Sequence, residues 1–226
     1  MHEAERTLAE GLGLERVLLD ADLAHAAGTW KGAPVTIETR AWRGGAVRWA
    51  RVATVSGGGL EIGNVMALPQ LDLTLPILGA DLVSLGARGA GVMIAADLSP
   101  VLPAGDARER QLRAFATRLS PYHDLTPGGE LPAWCARWFS PHALYVRPTA
   151  EELPRAAEAF RETVCEFVAL SAAATAEPGS RAAVAEAQRG YAAAHREDDR
   201  GLGLLGRMFG ERWADRYLRE VLFPDD

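Results

Sequence analysis

Asp81 is the residue best placed to do chemistry. It follows Gly79-Ala80 and opens the apolar run Leu82-Val83, downstream of Pro69 and Pro76, which fix the backbone φ where the segment turns. Gly79 admits angles or close approaches closed to other residues. A carboxyl without a partner in an apolar setting has its pKa raised, which makes a proton donor that works near neutral pH. The alternative is that Asp81 caps a turn or pairs with an Arg. A second acid, Asp199, ends the run Glu197-Asp198-Asp199 ahead of Arg200, and on its own it reads as a helix N-cap in an acidic loop.

Other chemistries lack local support. There is no GxGxxG opening a helix after a strand and no P-loop, hence no signal for a nucleotide cofactor, and no GxSxG elbow for a serine hydrolase. His2, His25, His123, His142 and His195 are scattered without metal-ligand spacing, so no metal site is expected. Cys135 and Cys165 read as packed thiols rather than ligands or a disulfide framework. If the chain is an enzyme, its redox or electrophilic power comes from outside these motifs.

The elements that must position Asp81 are strands. Short stretches rich in Val, Ile, Thr and Trp, divided by Gly44-Gly45, Gly57-Gly58-Gly59 and the glycines from 86 to 91, predict strands over 35–42, 47–55, 60–67, 78–85 and 91–98. Their connections are too short for crossover helices, so the sheet is mostly antiparallel. Leu8, Leu12, Leu14, Val17, Leu18 and Leu19 predict one helix over about the first twenty residues. Helical periodicity returns over 106–119, with a basic outer face. A further strand is expected at 143–146. Three helices follow: one begun by Thr149 and running to about 174, one over 180–196, and one over 202–222 with a break near Gly210. Helices either side of such a sheet make a three-layer α/β/α sandwich in a single domain, 1–226.

The 226 residues are 48% apolar, enough for a substantial core, and the net charge of −6 argues against a general nucleic-acid binder. No apolar run approaches the about 20 residues that span a bilayer, and the N-terminus lacks a signal peptide's basic start and apolar centre. A cytoplasmic monomer without membrane or nucleic-acid partners is expected.

Several segments together resemble the ferredoxin-dependent bilin reductases, which reduce the open-chain tetrapyrrole biliverdin to phytobilins. They are Leu75-Pro76-Ile77-Leu78-Gly79-Ala80-Asp81-Leu82-Val83, Ala96-Asp97-Leu98-Ser99-Pro100, Phe139-Ser140-Pro141, Arg147-Pro148, Asp198-Asp199-Arg200, the stretch 204–217 and the tail Val221-Leu222-Phe223-Pro224. The resemblance implies an oxidoreductase with no intrinsically bound cofactor. Reduced ferredoxin would supply single electrons, and side chains would supply protons to bilin radicals. It implies that Asp81 is the central proton donor, that Asp199 serves reduction of the A-ring, and that Arg147 and Arg200 meet the two propionates, where bidentate pairing is natural. Either Arg is otherwise a solvated surface residue.

Two departures bear on the product. Asn64 stands where the phycocyanobilin-forming enzymes of that family have a histidine, and Val52 stands about where they have a glutamate. An amide can hydrogen-bond a pyrrole lactam but is not an acid. The resemblance therefore implies reduction at the C15=C16 methine bridge. With Asp199 kept, a second reduction at the A-ring would follow, giving phycoerythrobilin; a stop at 15,16-dihydrobiliverdin and a non-catalytic bilin carrier are the alternatives. Ferredoxin is acidic, and Arg108, Arg110, Arg113 and Arg118 offer a basic face to steer it.

Overall fold

The computed structural model describes residues 1–86, 91–198 and 200–224; for residues 134, 136, 178, 198 and 200–202 it describes the backbone alone. The alternating and glycine-divided stretches form an antiparallel sheet of β1 (Glu15–Val17), β2 (His25–Trp30), β3 (Ala33–Gly44), β4 (Val47–Gly57), β5 (Leu60–Pro69), β6 (Ile77–Leu85), β7 (Gly91–Ser99) and β8 (Leu144–Val146). The spatial order is β1-β3-β4-β5-β6-β7-β8, with β2 also paired to β3. From β3 to β7 every strand neighbours the next in sequence, as connections too short for a crossover demand.

Helices cover both faces. On one, α1 (His2–Gly11), α3 (Asp106–Leu119) and α4 (Leu153–Ala172) bury Leu8, Phe115, Phe160 and Phe167 against Val52, Val65, Ala80 and Ala96. Each such large side chain contributes about 1.5–3 kcal/mol of burial. On the other, α5 (Arg181–Asp198), α6 (Arg200–Phe209) and α7 (Glu211–Tyr217), continued by one π-turn Leu218–Leu222, bring Tyr191, Met208, Tyr217 and Val221 onto Ile37, Val55, Met66 and Ile77. This is the expected three-layer sandwich.

The N-terminal segment departs from expectation. The helix ends at Gly11, and Gly13 at φ 60 closes it: the Gly13 N–H donates to the Glu10 carbonyl and the Leu14 N–H to that of Ala9. That is a Schellman stop, which a β-carbon at Gly13 would disfavour. The apolar residues beyond it serve β1, the short α2 (Ala21–Ala24) and β2 instead. At the other boundary that differs, α4 opens at Leu153, after a turn in which the Thr149 N–H donates to Glu152 Oε2 (2.8 Å) and the Glu152 N–H to Thr149 Oγ1 (3.3 Å). Thr149 thus makes the capping contact, one turn ahead of the regular helix.

Candidate active site

Register builds the site. Thr39, Ala53, Asn64, Asp81, Ala95 and Tyr145 form one row across β3 to β8, each opposite the next. Two residues along, Ala41, Arg51, Met66, Gly79 and Asp97 form the next row. Side chains two apart share a face, so both rows look toward α5, α6 and α7. The small residues Ala53, Gly79 and Ala95 leave the polar ones standing on a low floor.

Three polar side chains connect on that floor. Arg51 Nη1 donates to Asn64 Oδ1, and Asn64 Nδ2 donates to Asp81 Oδ1. Arg51 is 3% exposed, whereas Asn64 and Asp81 are half-buried. A hydrogen bond onto a carboxylate contributes about 1.5–3 kcal/mol, so Asp81 is held in place by its neighbour. Above them, Tyr217 Oη and Thr39 Oγ1 lie 2.7 Å apart, tying α7 to β3. Burial pushes the Tyr217 hydroxyl up, against the opposing influence of the Arg51 charge and the Thr39 contact.

The second row ends in a buried acid. Asp97, 1% exposed, accepts from Ser99 Oγ (2.8 Å), the Ser140 N–H (2.8 Å) and Ser140 Oγ (2.5 Å). Burial pushes its carboxyl up while these donors pull it down. The acid pins the Phe139-Ser140-Pro141 segment to β7, and the adjoining Trp138 meets Tyr191 edge to face at 6.2 Å. Tyr191 stands 4.4 Å from the His195 ring and 6.2 Å from Phe223, so an aromatic cluster roofs the floor.

Asn64 and Asp81, 17 residues apart in sequence, are the expected site residues that the fold brings together. Arg147 follows β8 and is exposed, its Nε donating to the Gly128 carbonyl (3.1 Å). It lies two strands across and two residues along from Asp81, about 12 Å by strand geometry. Arg200 opens α6, and its side chain, like Asp199, lies outside what is described. On the expected basic face, Arg118 is engaged by Glu162 (2.7 Å) and by Glu166. Arg110 and Arg113 are exposed beside it, on the sheet face opposite Asp81. Sequence pattern does not single out Arg51 or Asp97 as site residues, although an Arg inside Trp49-Ala50-Arg51-Val52-Ala53 signals a charge that must find partners.

Among the described residues no group of three or more His, Cys, Asp or Glu is gathered to hold a metal ion, and no helix is long and apolar enough to cross a membrane.

The family model for ferredoxin-dependent bilin reductase matches residues 1–224. The chain is 32% identical over 231 aligned positions to a phycocyanobilin:ferredoxin oxidoreductase of Synechococcus sp., covering 98% of this chain and 90% of that one. It is 29% identical to a phycoerythrobilin:ferredoxin oxidoreductase of Gloeobacter violaceus, covering 99% and 93%. To a 15,16-dihydrobiliverdin:ferredoxin oxidoreductase of Parasynechococcus marenigrum it is 30% identical, covering 84% and 82%. The fold is that of tomato phytochromobilin synthase crystallised with biliverdin, with a TM-score of 0.83 at 21% identity, covering 98% of this chain and 80% of that one.

Proposed function

The chain belongs to the ferredoxin-dependent bilin reductases, oxidoreductases that draw electrons from ferredoxin, and we propose that it reduces biliverdin at the C15=C16 methine bridge and then at the A-ring, giving phycoerythrobilin. The observation that carries this reading is the half-buried Asn64–Asp81 pair on the floor of the sheet. Overall identity does not choose the product, because relatives named for three different bilins lie between 29% and 32%. Position 64 does. It carries an amide, which supplies hydrogen bonds but no acidic proton, so protonation falls to Asp81.

The balance is two electrons and two protons for each double bond reduced. Ferredoxin supplies the electrons singly, the bilin passes through a radical, and the Asp81 carboxyl gives a proton that solvent replaces. Asp199 serves the A-ring step. Arg147 and Arg200 receive the propionates, and the exposed Arg110 and Arg113 of α3 help to steer acidic ferredoxin. The test is anaerobic incubation of the protein with biliverdin, ferredoxin and a reducing system. Progressive conversion to a blue-shifted bilin is expected; a bound spectrum that never changes would make the protein a carrier.

A further inference from the structure

Arg51 has chemistry that constrains its neighbour. A guanidinium carries N–H donors only and stays charged in proteins, while a primary amide has an accepting end and a donating end. Arg51 Nη1 faces Asn64, so the amide must turn Oδ1 toward Arg51, and Nδ2 is thereby aimed at Asp81 Oδ1. Turning the amide over would set its NH₂ against a guanidinium that cannot accept. Asp81 Oδ1 thus receives an N–H, and a proton carried by Asp81 resides on the other oxygen.

We infer that Arg51 is a positioning residue that acts through Asn64: it fixes the amide orientation and so assigns Oδ2 of Asp81 as the oxygen that carries and delivers the proton. The inference rests on the proposed reading of Asp81 as proton donor. Other contacts hold Arg51 for this task. Its Nη2 lies 4.0 Å from the Met66 sulfur, the residue opposite it in register, and its charge reaches the Tyr217 hydroxyl. With both the strand and the side chain buried, the guanidinium is a fixed reference against which the amide is set.

The chain provides a clean probe, since Asn64 is its only asparagine. Selective ¹⁵N-asparagine labelling gives a single side-chain amide in a ¹H–¹⁵N spectrum of the substrate-free protein. The expected pattern is two well-separated amide protons, the downfield one belonging to the N–H on Asp81. Arg51→Lys, also a pure donor, should keep that separation. Arg51→Met should collapse it, and Asp81→Leu, which keeps the shape of the site, removes the acceptor and adds no second asparagine, should shift the downfield proton alone. In turnover, Arg51→Met should lower kcat about tenfold with KM for biliverdin little changed, and Arg51→Lys should restore most of it. Unchanged amide shifts in Arg51→Met, or in Asp81→Leu should Arg51→Met not fold, would overturn the inference. So would equal losses in the Met and Lys variants. A wild-type protein with the expected amide pattern but no turnover of biliverdin would instead contradict the proposed function and leave the orientation standing.

Discussion

Gly79 and Tyr191 meet with no side chain between them: a β-carbon at Gly79 would lie 2.9 Å from Tyr191 Oη. This contact sets the height of the helical roof over the sheet, two residues from Asp81 on the same face of β6. Tyr191 is buried and packed by Trp138, His195 and Phe223, so it has little room to retreat.

Gly79→Ala should therefore cost about 1–3 kcal/mol through overpacking and weaken biliverdin binding by displacing α5. Thermal melts and a bilin titration check both effects. A variant with wild-type Tm and affinity would show that the roof is not set here.

Asp81→Asn should still bind biliverdin but stall after electron delivery, leaving a bilin radical that persists for many turnovers of the wild-type protein. Electron paramagnetic resonance and absorbance follow it. Normal product formation would remove Asp81 from the donor role.

Asp199→Asn should stop the reaction after one double bond, so that 15,16-dihydrobiliverdin accumulates. Product chromatography decides this, and an unaltered product would refute the A-ring role.

Asn64→His should leave the C15 reduction as the main outcome. Beside Arg51 an imidazole must present a lone pair to the guanidinium and its N–H to Asp81, which keeps it neutral. Val52, moreover, is buried on the opposite face of the sheet and brings no acid to the site. Phycocyanobilin from this variant would contradict the account.

Asp97 makes the stability of the fold depend on pH. Burial holds its carboxyl above the usual range, so between the unfolded value of about 3.9 and the raised folded value the native chain binds more protons. Stability from this group is then present at low pH and lost as pH rises through that window. Asp97→Asn cannot titrate and still accepts from and donates to Ser140. Its Tm relative to wild type should rise as pH is raised from about 4 to 7. A difference that stays flat would mean that Asp97 does not titrate in that window.

Much of the architecture is legible because the strands obey simple rules. Residues 35–42, 47–55, 60–67, 78–85 and 91–98 alternate or run apolar between glycines, and each lies within an observed strand. The N-terminal helix was overextended because apolar residues continue past Gly13, whose positive φ rather than any change in hydropathy ends the helix. β2 was invisible for a different reason: His25-Ala26-Ala27-Gly28-Thr29-Trp30 is a half-exposed edge strand with little β-branched content. Asp81 stood out by its setting, yet its partner did not. Only the β5–β6 register places Asn64 opposite it, and only the β4–β5 register brings Arg51 alongside. The Asp97–Ser140 lock likewise joins two segments 43 residues apart, which local pattern cannot pair.

The most direct test of the central claim is a time-resolved anaerobic reaction with biliverdin and reduced ferredoxin, sampled by product chromatography. The account predicts that 15,16-dihydrobiliverdin rises first and then decays into phycoerythrobilin. Phycocyanobilin as the product, or an A-ring-reduced bilin appearing before any C15 reduction, would contradict it.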